Sequence, residues 1–287
     1  MKLHKHKVTI LGECPTDLEE TYKWIEKGGR ICYQSQKKIT HDSAKTFVQN
    51  ILSRKHYSVL ETSNFVIRTI NKVKFPNDAL KHFSTLFQSK YLTKIVKNDY
   101  IYIGGNIRAW LEQLNLKSIE QLFHKFKDIQ NGFIIVTDHN KIPQELKRIS
   151  VVYYTSRDVT HELVRHRPAS FLQLSQRYVA YRQQLDIIVP TYFEDIASNP
   201  EMIPQYDIWC SSMEQAEFNY RLLLQNGAKA ERARAVLPNS TATEIIVTAD
   251  VPEWRIIFDL RTSKAAYSEI QRIIKDTMEQ FLSRGWI

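Results

Sequence analysis

Hydrophobic residues along this chain recur with a period of either three to four residues or two, and each period predicts a different element. The helical period predicts helices over these stretches: from about 41 or 42 onward, 205–225 and 268–283. The alternating, β-branched pattern predicts strands over these stretches: 7–11, 64–70 and 149–155. The segment 245–248 fits either a strand or part of a helix.

Polar residues and prolines predict where two further helices begin and end. Thr16 with Glu19 forms the pattern of a capping box, and it predicts a helix that ends at the glycines 28–29. Pro168 predicts that a helix over 158–166 stops before it, because proline disfavours helical backbone in the preceding residue.

From about residue 71 to 147 the chain changes in character, since this segment is rich in lysine and phenylalanine and has prolines near both ends. The change predicts an insertion or subdomain. Within it, Gly104, Gly105 and Asn106 predict a turn that leads into a helix carrying Trp110. The order of elements favours an α+β fold in which helices pack on a modest, mostly antiparallel sheet.

Composition and charge narrow the class of protein. The hydrophobic fraction of 43% and the aromatic fraction of 11% are typical of a packed globular chain. Lysine and arginine number 40 against 31 acidic residues, and the net charge of +9 suits nucleic acid, an anionic membrane surface or a small phosphorylated ligand. No signal peptide or apolar span is visible, so we expect a cytoplasmic protein without membrane association. The three cysteines lie far apart, which fits a reduced compartment and excludes a standard structural zinc site.

The eight glycines form neither of the two common phosphate-binding loops, so a bound nucleotide has to be held mainly by side chains. The positions of the arginines therefore become informative. The densest group of suitable side chains comprises Arg165, His166, Arg167, Ser170, Ser175, Arg177 and Arg182.

This group suits an anion, because guanidinium groups present forked donors to phosphate and carboxylate oxygens and serine hydroxyls add further donors. No acidic residue lies between Glu162 and Asp186. On composition alone, a solvated basic face or a nucleic-acid groove has roughly equal weight.

The order of residues favours the anion site. Arg165-His166-Arg167, followed by seven residues and then Ser175, resembles the signature of the flavin-dependent thymidylate synthases. Four further blocks lie in the family's order: residues 30–33 (Arg-Ile-Cys-Tyr), His56 with Ser58 and Glu61, residues 231–238 and residues 258–261. The resemblance covers about 8–70 and 149–283. It implies one family domain over 1–287, with 71–147 as the insertion of a longer subgroup.

The resemblance implies a methyltransferase that makes dTMP from dUMP. The family takes a methylene group from methylenetetrahydrofolate and reducing equivalents from NADPH through FAD, as a homotetramer with sites built from several subunits. By motif position, the dUMP-binding residues are expected to be Glu162, Leu163, Val164, Arg165, Gln173, Leu174, Ser175, Gln176, Arg177, Arg234 and Arg261.

The resemblance also implies that Arg261 is the catalytic residue. It is expected beside the uracil ring, where a fixed cation lowers the pKa of a neighbouring acid and so favours the N3-deprotonated base. A deprotonated uracil is more electron-rich at C5, where the new carbon attaches. No cysteine nucleophile is needed.

The residues expected at FAD are Ser58, Arg165, His166, Arg167, Gln173, Asp250, Pro252 and Ile256. The last three depart from the family's usual asparagine, arginine, and histidine or asparagine, and Tyr267 stands where the subgroup usually has histidine. An aspartate places negative charge near an anionic cofactor, and Pro252 removes a cation and an amide donor. These departures predict that flavin is held more weakly or differently.

Two other functions remain open at this point. One is flavin-dependent C5 alkylation of another pyrimidine nucleotide, which the altered C-terminal positions allow. The other, less favoured, is non-enzymatic nucleic-acid binding through the positive charge and the aromatic residues between the arginines. A metal site is not expected, because His161 and His166 are five residues apart and a zincin helix needs four. We expect Trp254, Phe258 and Cys32 in the core.

Overall fold

The computed structural model describes residues 1–127 and 132–287; residues 128–131, which belong to the predicted insertion, lie outside the described residues. The strands are β1 Lys2–His4, β2 Lys7–Glu13, β3 Phe65–Thr69, β4 Leu92–Lys97, β5 Tyr100–Gly105, β6 Phe133–Ile135, β7 Arg148–Ser156, β8 Ser170–Gln173, β9 Asp186–Ile188 and β10 Ala242–Asp250. The helices are α1 Leu18–Cys32, α2 Ser43–Ser53, α3 Pro76–Leu86, α4 Ile107–Leu114, α5 Ile119–Lys127, α6 Arg157–Leu163, α7 Ile203–Gln225, α8 Ala230–Ala233, α9 Val251–Arg261 and α10 Ser268–Ser283.

An antiparallel sheet in the order β2-β7-β10-β8 positions the site. Because side chains alternate along a strand, its two faces bury different sets of residues. Val151 and Tyr153 of β7 pack with α9 and α10 on one face, whereas Val152 packs with α1 on the other. The sheet is therefore covered by helices on both sides.

A second antiparallel sheet has the order β4-β5-β3-β6, and a short parallel pair joins β1 to β9. Strand β3 precedes the predicted insertion, whereas β4, β5 and β6 lie within 71–147. The segment 71–147 shares a hydrophobic core with the part of the chain before it, since Ile25 of α1 and Trp110 of α4 belong to the same buried cluster. The division into a family domain and an insertion stays a prediction.

The α+β prediction is confirmed, since helices pack on sheets that are antiparallel apart from the short β1–β9 pair. Strands β2, β3 and β7 and helices α2, α7 and α10 lie where the hydrophobic periods predicted them, and the ambiguous segment 245–248 lies within strand β10. The predicted core positions Trp254, Phe258 and Cys32 are buried.

The predicted bounds of α1 are wrong at both ends. Asp17, rather than Thr16, is the N-cap, and its side chain accepts a hydrogen bond from the Glu20 backbone. The helix continues through the glycines 28–29 to Cys32. A methyl group at position 29 would lie 2.5 Å from Phe47 Cζ, so this glycine permits close packing of α1 on α2 and does not end the helix.

The turn predicted at Gly104 and Gly105 is also wrong, because both residues lie in strand β5. They pair with β3 on one side and β4 on the other. A methyl group on Gly105 would lie 2.5 Å from the Tyr91 carbonyl oxygen, so the glycine allows the strands to approach. The predicted helix carrying Trp110 is present as α4, and Asn106 is its N-cap.

Helix α9 was not predicted, although Val251, Trp254, Ile257 and Phe258 are buried at helical spacing along it. Within residues 1–127 and 132–287, no helix is long and apolar enough to cross a bilayer.

Candidate functional site

The Arg165-His166-Arg167 motif lies in a tight turn between α6 and β8. Helix α6 follows β7 directly, and the turn brings the chain back to pair with β10 as β8. Two backbone hydrogen bonds shape it, from His166 N to Leu163 O at 3.2 Å and from Ala169 N to His166 O at 3.0 Å. The motif therefore sits at the edge of the sheet with its backbone conformation set by short-range contacts.

Arg261, the last residue of α9, ties this turn to the C-terminal half of the chain. Its Nε donates to His166 Nε2 at 2.9 Å, its Nη1 to a Glu162 carboxylate oxygen at 2.6 Å, and its Nη2 to the Glu162 carbonyl at 2.9 Å. The side chain is only 14% exposed. The structure thus brings three predicted site residues from two distant blocks into direct contact.

His166 is a buried, neutral imidazole. Burial, reinforced by the positive charge of Arg261, lowers the pKa of His166 to about 4. Arginine can only donate, so His166 Nε2 is the acceptor and the proton resides on Nδ1. That nitrogen lies 3.6 Å from a Glu253 carboxylate oxygen, a contact between a neutral ring and a carboxyl group rather than an ion pair.

Glu253 is a residue that the sequence analysis did not single out. It is buried in the first turn of α9, and burial together with the charge of Asp250 raises its pKa. Glu253 lies directly before Trp254 and belongs to no sequence motif, so its placement behind His166 required the tertiary structure.

Arg165 and Arg167 project outward on either side of the buried histidine. The Arg165 side chain is 70% exposed, and its Nη1 lies 3.6 Å from the second Glu162 carboxylate oxygen. Arg167 is exposed and makes no hydrogen bond or ion pair within the described ranges. Two guanidinium groups are therefore available at the surface for an anionic ligand.

Arg167 and Ser170 also line a cavity of about 150 Å³ between this turn and the predicted insertion. Its opposite wall is formed by Tyr91 and by the start of α4, including Arg108. Glu61, from the His56, Ser58, Glu61 block, lines it as well. No sequence motif contains Arg108, so the sequence alone did not point to it.

The segment after β8 forms a second part of the site. Ser175 N donates to the carbonyl of Cys32 at the end of α1, at 3.3 Å, and Ser175 Oγ accepts from Arg177 N at 3.4 Å. Arg177 is exposed, with its guanidinium 5.5 Å from the centre of the Tyr178 ring. Gln176 is buried, and its Nε2 has no hydrogen-bond partner among the described residues.

Gln173 is held inside the fold between the two parts. Its Nε2 donates to Thr160 Oγ1 at 2.9 Å and lies 3.5 Å from Thr243 Oγ1. The Leu163 and Leu174 side chains are buried, whereas Val164 is exposed.

Other predicted residues lie on separate elements. Arg234 is exposed at the start of a 3₁₀ turn after α8, and Ser58 is exposed in the 3₁₀ segment Tyr57–Thr62. No hydrogen bond or ion pair joins either side chain to the Arg261 network in the described part of the chain.

Two of the four positions that depart from the family pattern lie at the start of α9, a third lies in the middle of that helix, and the fourth is the N-cap of α10. Asp250 is the N-cap, and its side chain accepts a hydrogen bond from Glu253 N at 2.9 Å. Pro252 occupies the first turn, where its missing N–H breaks no helical hydrogen bond. Ile256 is exposed on the outer face, and Tyr267 donates from its hydroxyl to Asp158 at 2.8 Å. Asp250 and Pro252 thus have a structural role as a helix start.

No group of three histidine, cysteine, aspartate or glutamate side chains among residues 1–127 and 132–287 is arranged to hold a metal ion.

The chain is similar in sequence to proteins of one known family. The family model described as "Thymidylate synthase complementing protein" matches residues 133–284, more than half of the chain. The chain is 35% identical over 148 residues to the flavin-dependent thymidylate synthase of Mycobacterium tuberculosis (strain ATCC 25618 / H37Rv). The aligned region covers 47% of this chain and 58% of that protein. The enzyme of the same name from Mycolicibacterium vanbaalenii is 35% identical over 155 residues, with 48% and 59% covered.

A solved structure, the UMP/dUMP methylase PolB from Streptomyces cacaoi bound with 5-Br dUMP, is similar over 99% of this chain and 93% of that chain, at 14% identity and a TM-score of 0.45. The matched region spans somewhat more than half the length of the two mycobacterial relatives. It contains the Arg165-His166-Arg167 turn, the Ser175 segment and Arg261. The chain belongs to the thymidylate synthase complementing protein family, which is the family of the flavin-dependent thymidylate synthases.

Proposed function

We propose that this chain is an FAD-dependent methyltransferase that converts dUMP to dTMP, with methylenetetrahydrofolate and NADPH as co-substrates. The observation that carries the proposal is the Arg261 network. It fixes Glu162 and a neutral His166 between two exposed guanidinium groups, within the region that matches the family.

The network leaves Arg261 able to bind a ligand. A guanidinium has five N–H donors, and three of them are engaged by Glu162 and His166. The remaining two, one on each terminal nitrogen, can donate to the uracil ring. Since Glu162 offsets part of the charge of Arg261, the exposed Arg165 supplies the net positive charge that favours a deprotonated base.

The Ser175 segment suits the phosphate of the nucleotide. Ser175 and Arg177 present a hydroxyl and an exposed guanidinium on one turn, and the buried Gln176 Nε2 has no hydrogen-bond partner within residues 1–127 and 132–287. Such donors match phosphate oxygens. Arg234 would have to reach this phosphate from its own element or from another subunit.

The residues present also fit FAD in part. The exposed Arg165 and Arg167 can pair with its phosphates, and Ser58 is exposed as a donor. Asp250 is occupied by Glu253 N as a helix cap, so its negative charge is partly compensated. FAD, when bound, supplies the redox chemistry, and the protein supplies position and charge.

We also propose a homotetramer. Large apolar side chains are exposed on α7 and α10, among them Ile208, Phe218 and Leu282. Burying these surfaces between copies would remove them from water. Light scattering on the purified protein measures the mass directly, and a monomer at assay concentration would contradict this part.

The absorbance spectrum of the purified protein with and without added FAD tests the cofactor. Release of tritium from C5-labelled dUMP, with methylenetetrahydrofolate and NADPH present, tests the reaction. Colourless protein that takes up no FAD would refute the proposed function. Turnover of UMP or dCMP without turnover of dUMP would replace it by C5 alkylation of another pyrimidine nucleotide.

A further inference from the structure

The cavity between the Arg165-His166-Arg167 turn and the segment 71–147 brings together residues from three separate parts of the chain. Arg167 and Ser170 come from the motif turn, Glu61 from the 3₁₀ segment before β3, and Arg108 from α4. Its volume of about 150 Å³ is too small for a whole dinucleotide and suits one sugar-phosphate unit. The segment 71–147 therefore forms part of the wall of the candidate site.

Arg108 holds the Glu61 carboxylate in this wall. Its Nη1 donates to Glu61 at 2.6 Å, and its Nε donates to Glu112 at 2.7 Å. Both pairs are charge-assisted hydrogen bonds, which are shorter and stronger than neutral ones. Since Arg108 is one residue into α4 and Glu61 precedes β3, this contact is a direct link between the insertion and a family block.

The start of α4 is itself fixed in place. Ile107 N donates to Ser63 Oγ at 3.0 Å, and Ala109 N donates to the Asn106 side chain at 2.9 Å. The first turn of α4 is therefore anchored to the same segment that carries Glu61. Arg108 is presented to the cavity from a rigid position rather than from a mobile loop.

The chemistry of the wall identifies the class of ligand. The Arg167 guanidinium, which has no partner among the described residues, matches the oxygens of a phosphate, and Arg108 adds positive charge to the same wall. Two carboxylates, Glu61 and Glu112, can accept from sugar hydroxyls, as acidic residues do in nucleotide sites. A sugar carrying a phosphate satisfies both kinds of group at once.

We propose that the segment 71–147 completes the cofactor site, with Arg108 as the positioning residue that holds Glu61 at a cavity for a sugar-phosphate unit of FAD. This inference rests on the proposed function, because it takes FAD as the ligand. It assigns a binding role to the inserted segment.

Titration of the purified protein with FAD, followed by flavin absorbance and fluorescence, tests the inference without a turnover assay. Arg108→Gln is expected to raise the Kd for FAD about tenfold, which corresponds to one lost charge-assisted contact. Arg108→Lys keeps the positive charge but cannot donate to Glu61 and Glu112 through two separate nitrogens. Its affinity for FAD should therefore lie between those of the wild type and Arg108→Gln. If Arg108 acts through Glu61, the double variant with Glu61→Gln should bind no worse than the weaker single variant.

Lys72→Gln is the matched control, because Lys72 forms an exposed ion pair with Asp99 inside the same segment and neither residue lines the cavity. It should leave the Kd unchanged, and all variants should keep the wild-type melting temperature. Equal FAD affinity for wild type and Arg108→Gln, or an equal loss in Lys72→Gln, overturns the inference.

Wild-type protein that takes up no FAD refutes the proposed function, and adenosine monophosphate then serves as the probe of the cavity. Binding of this nucleotide that is lost in Arg108→Gln supports a sugar-phosphate cavity. No binding, or binding that Arg108→Gln leaves unchanged, overturns the cavity as well.

Discussion

At the scale of single residues, one guanidinium organises the site. Arg261 closes three hydrogen bonds to Glu162 and His166, and these bonds connect α9 to the turn after α6. Arginine suits this position because its planar fork holds three acceptor atoms of two residues and has two further N–H groups for a ligand. A lysine could neutralise Glu162 but could not also hold the histidine ring.

Arg261→Ala is expected to leave FAD bound and to lower turnover by roughly 100-fold or more, as the loss of a preorganised donor does in other enzymes. Tritium release from dUMP measures turnover, and flavin absorbance measures binding. Arg255→Ala is the control, since Arg255 is an exposed arginine on the same helix with no partner within the described residues. Turnover that survives in Arg261→Ala would contradict the role assigned to it.

His166 makes a pH-dependent contribution to stability. The pKa of the buried ring is lowered to about 4, whereas that of an unfolded histidine is about 6.5. Between these values the unfolded chain binds the proton and the folded chain does not, so stability falls as pH falls from about 6.5 to about 4. Above that window the contribution is constant.

Urea unfolding of wild type and His166→Gln at pH 7 and pH 5 checks this expectation. The wild type should lose more unfolding free energy between the two pH values than the variant, by on the order of 1 kcal/mol. Comparison with the variant removes the contribution of the carboxylates. Identical losses would mean that the ring is protonated in the folded protein.

At the scale of elements, the start of α9 explains two residues that depart from the family pattern. Asp250 caps the helix, and Pro252 follows in the first turn, a combination that favours a sharp helix start. This start fixes the axis of α9 and, one helix length later, the position of Arg261. The aspartate is therefore linked to the site through the helix that it begins.

Asp250→Ala should lower the unfolding free energy by about 1 kcal/mol, the usual cost of a lost N-cap. Asp250→Asn keeps a capping oxygen and should stay close to wild type, which makes it the control. Urea denaturation measures both. If alanine and asparagine destabilise equally, the carboxylate acts through its charge and not as a cap.

At the scale of the whole molecule, the segment 71–147 and the rest of the chain share a core. Trp110 of α4 is fully buried, donates from its indole N–H to the Phe65 carbonyl at 2.9 Å, and packs in the cluster that contains Ile25 of α1. The second sheet likewise needs β3 between β5 and β6. The inserted segment is therefore expected to unfold together with the rest of the chain.

Trp110→Ala should cost about 3–5 kcal/mol, the range for emptying a buried aromatic site. Native-state hydrogen exchange should show amides of α1 and β5 losing protection together, because one core supports both. Leu86→Ala serves as the control, since Leu86 is an exposed residue of α3 in the same segment. Loss of protection confined to β5 would show that the insertion opens on its own.

Much of the fold was predictable because periodicity reports burial directly. The long helix α7 and the last helix α10 carry hydrophobic residues at helical spacing, and β7 is apolar enough to be recognised as a strand. The sequence-based predictions were wrong where a residue is required for packing against another residue that is distant in sequence. The glycines at 29, 104 and 105 look like helix ends and turns, but each lies where a side chain would crowd Phe47, Leu146 or Tyr91, respectively.

The candidate site, too, was partly predictable from the sequence and partly decided by the tertiary structure. The residue types and their order along the chain were sufficient for the resemblance to a family, and through it for the prediction of an anion site at Arg165 to Arg177 and of a catalytic role for Arg261. These depend on chemistry that each side chain carries wherever it lies. Only the tertiary structure decided that Arg261 holds Glu162 and a neutral His166, that Glu253 lies behind that ring, and that Arg108 reaches Glu61. Those contacts join residues from about 47 to 99 positions apart, and no local pattern specifies which distant side chains the packing of helices on a sheet will bring together.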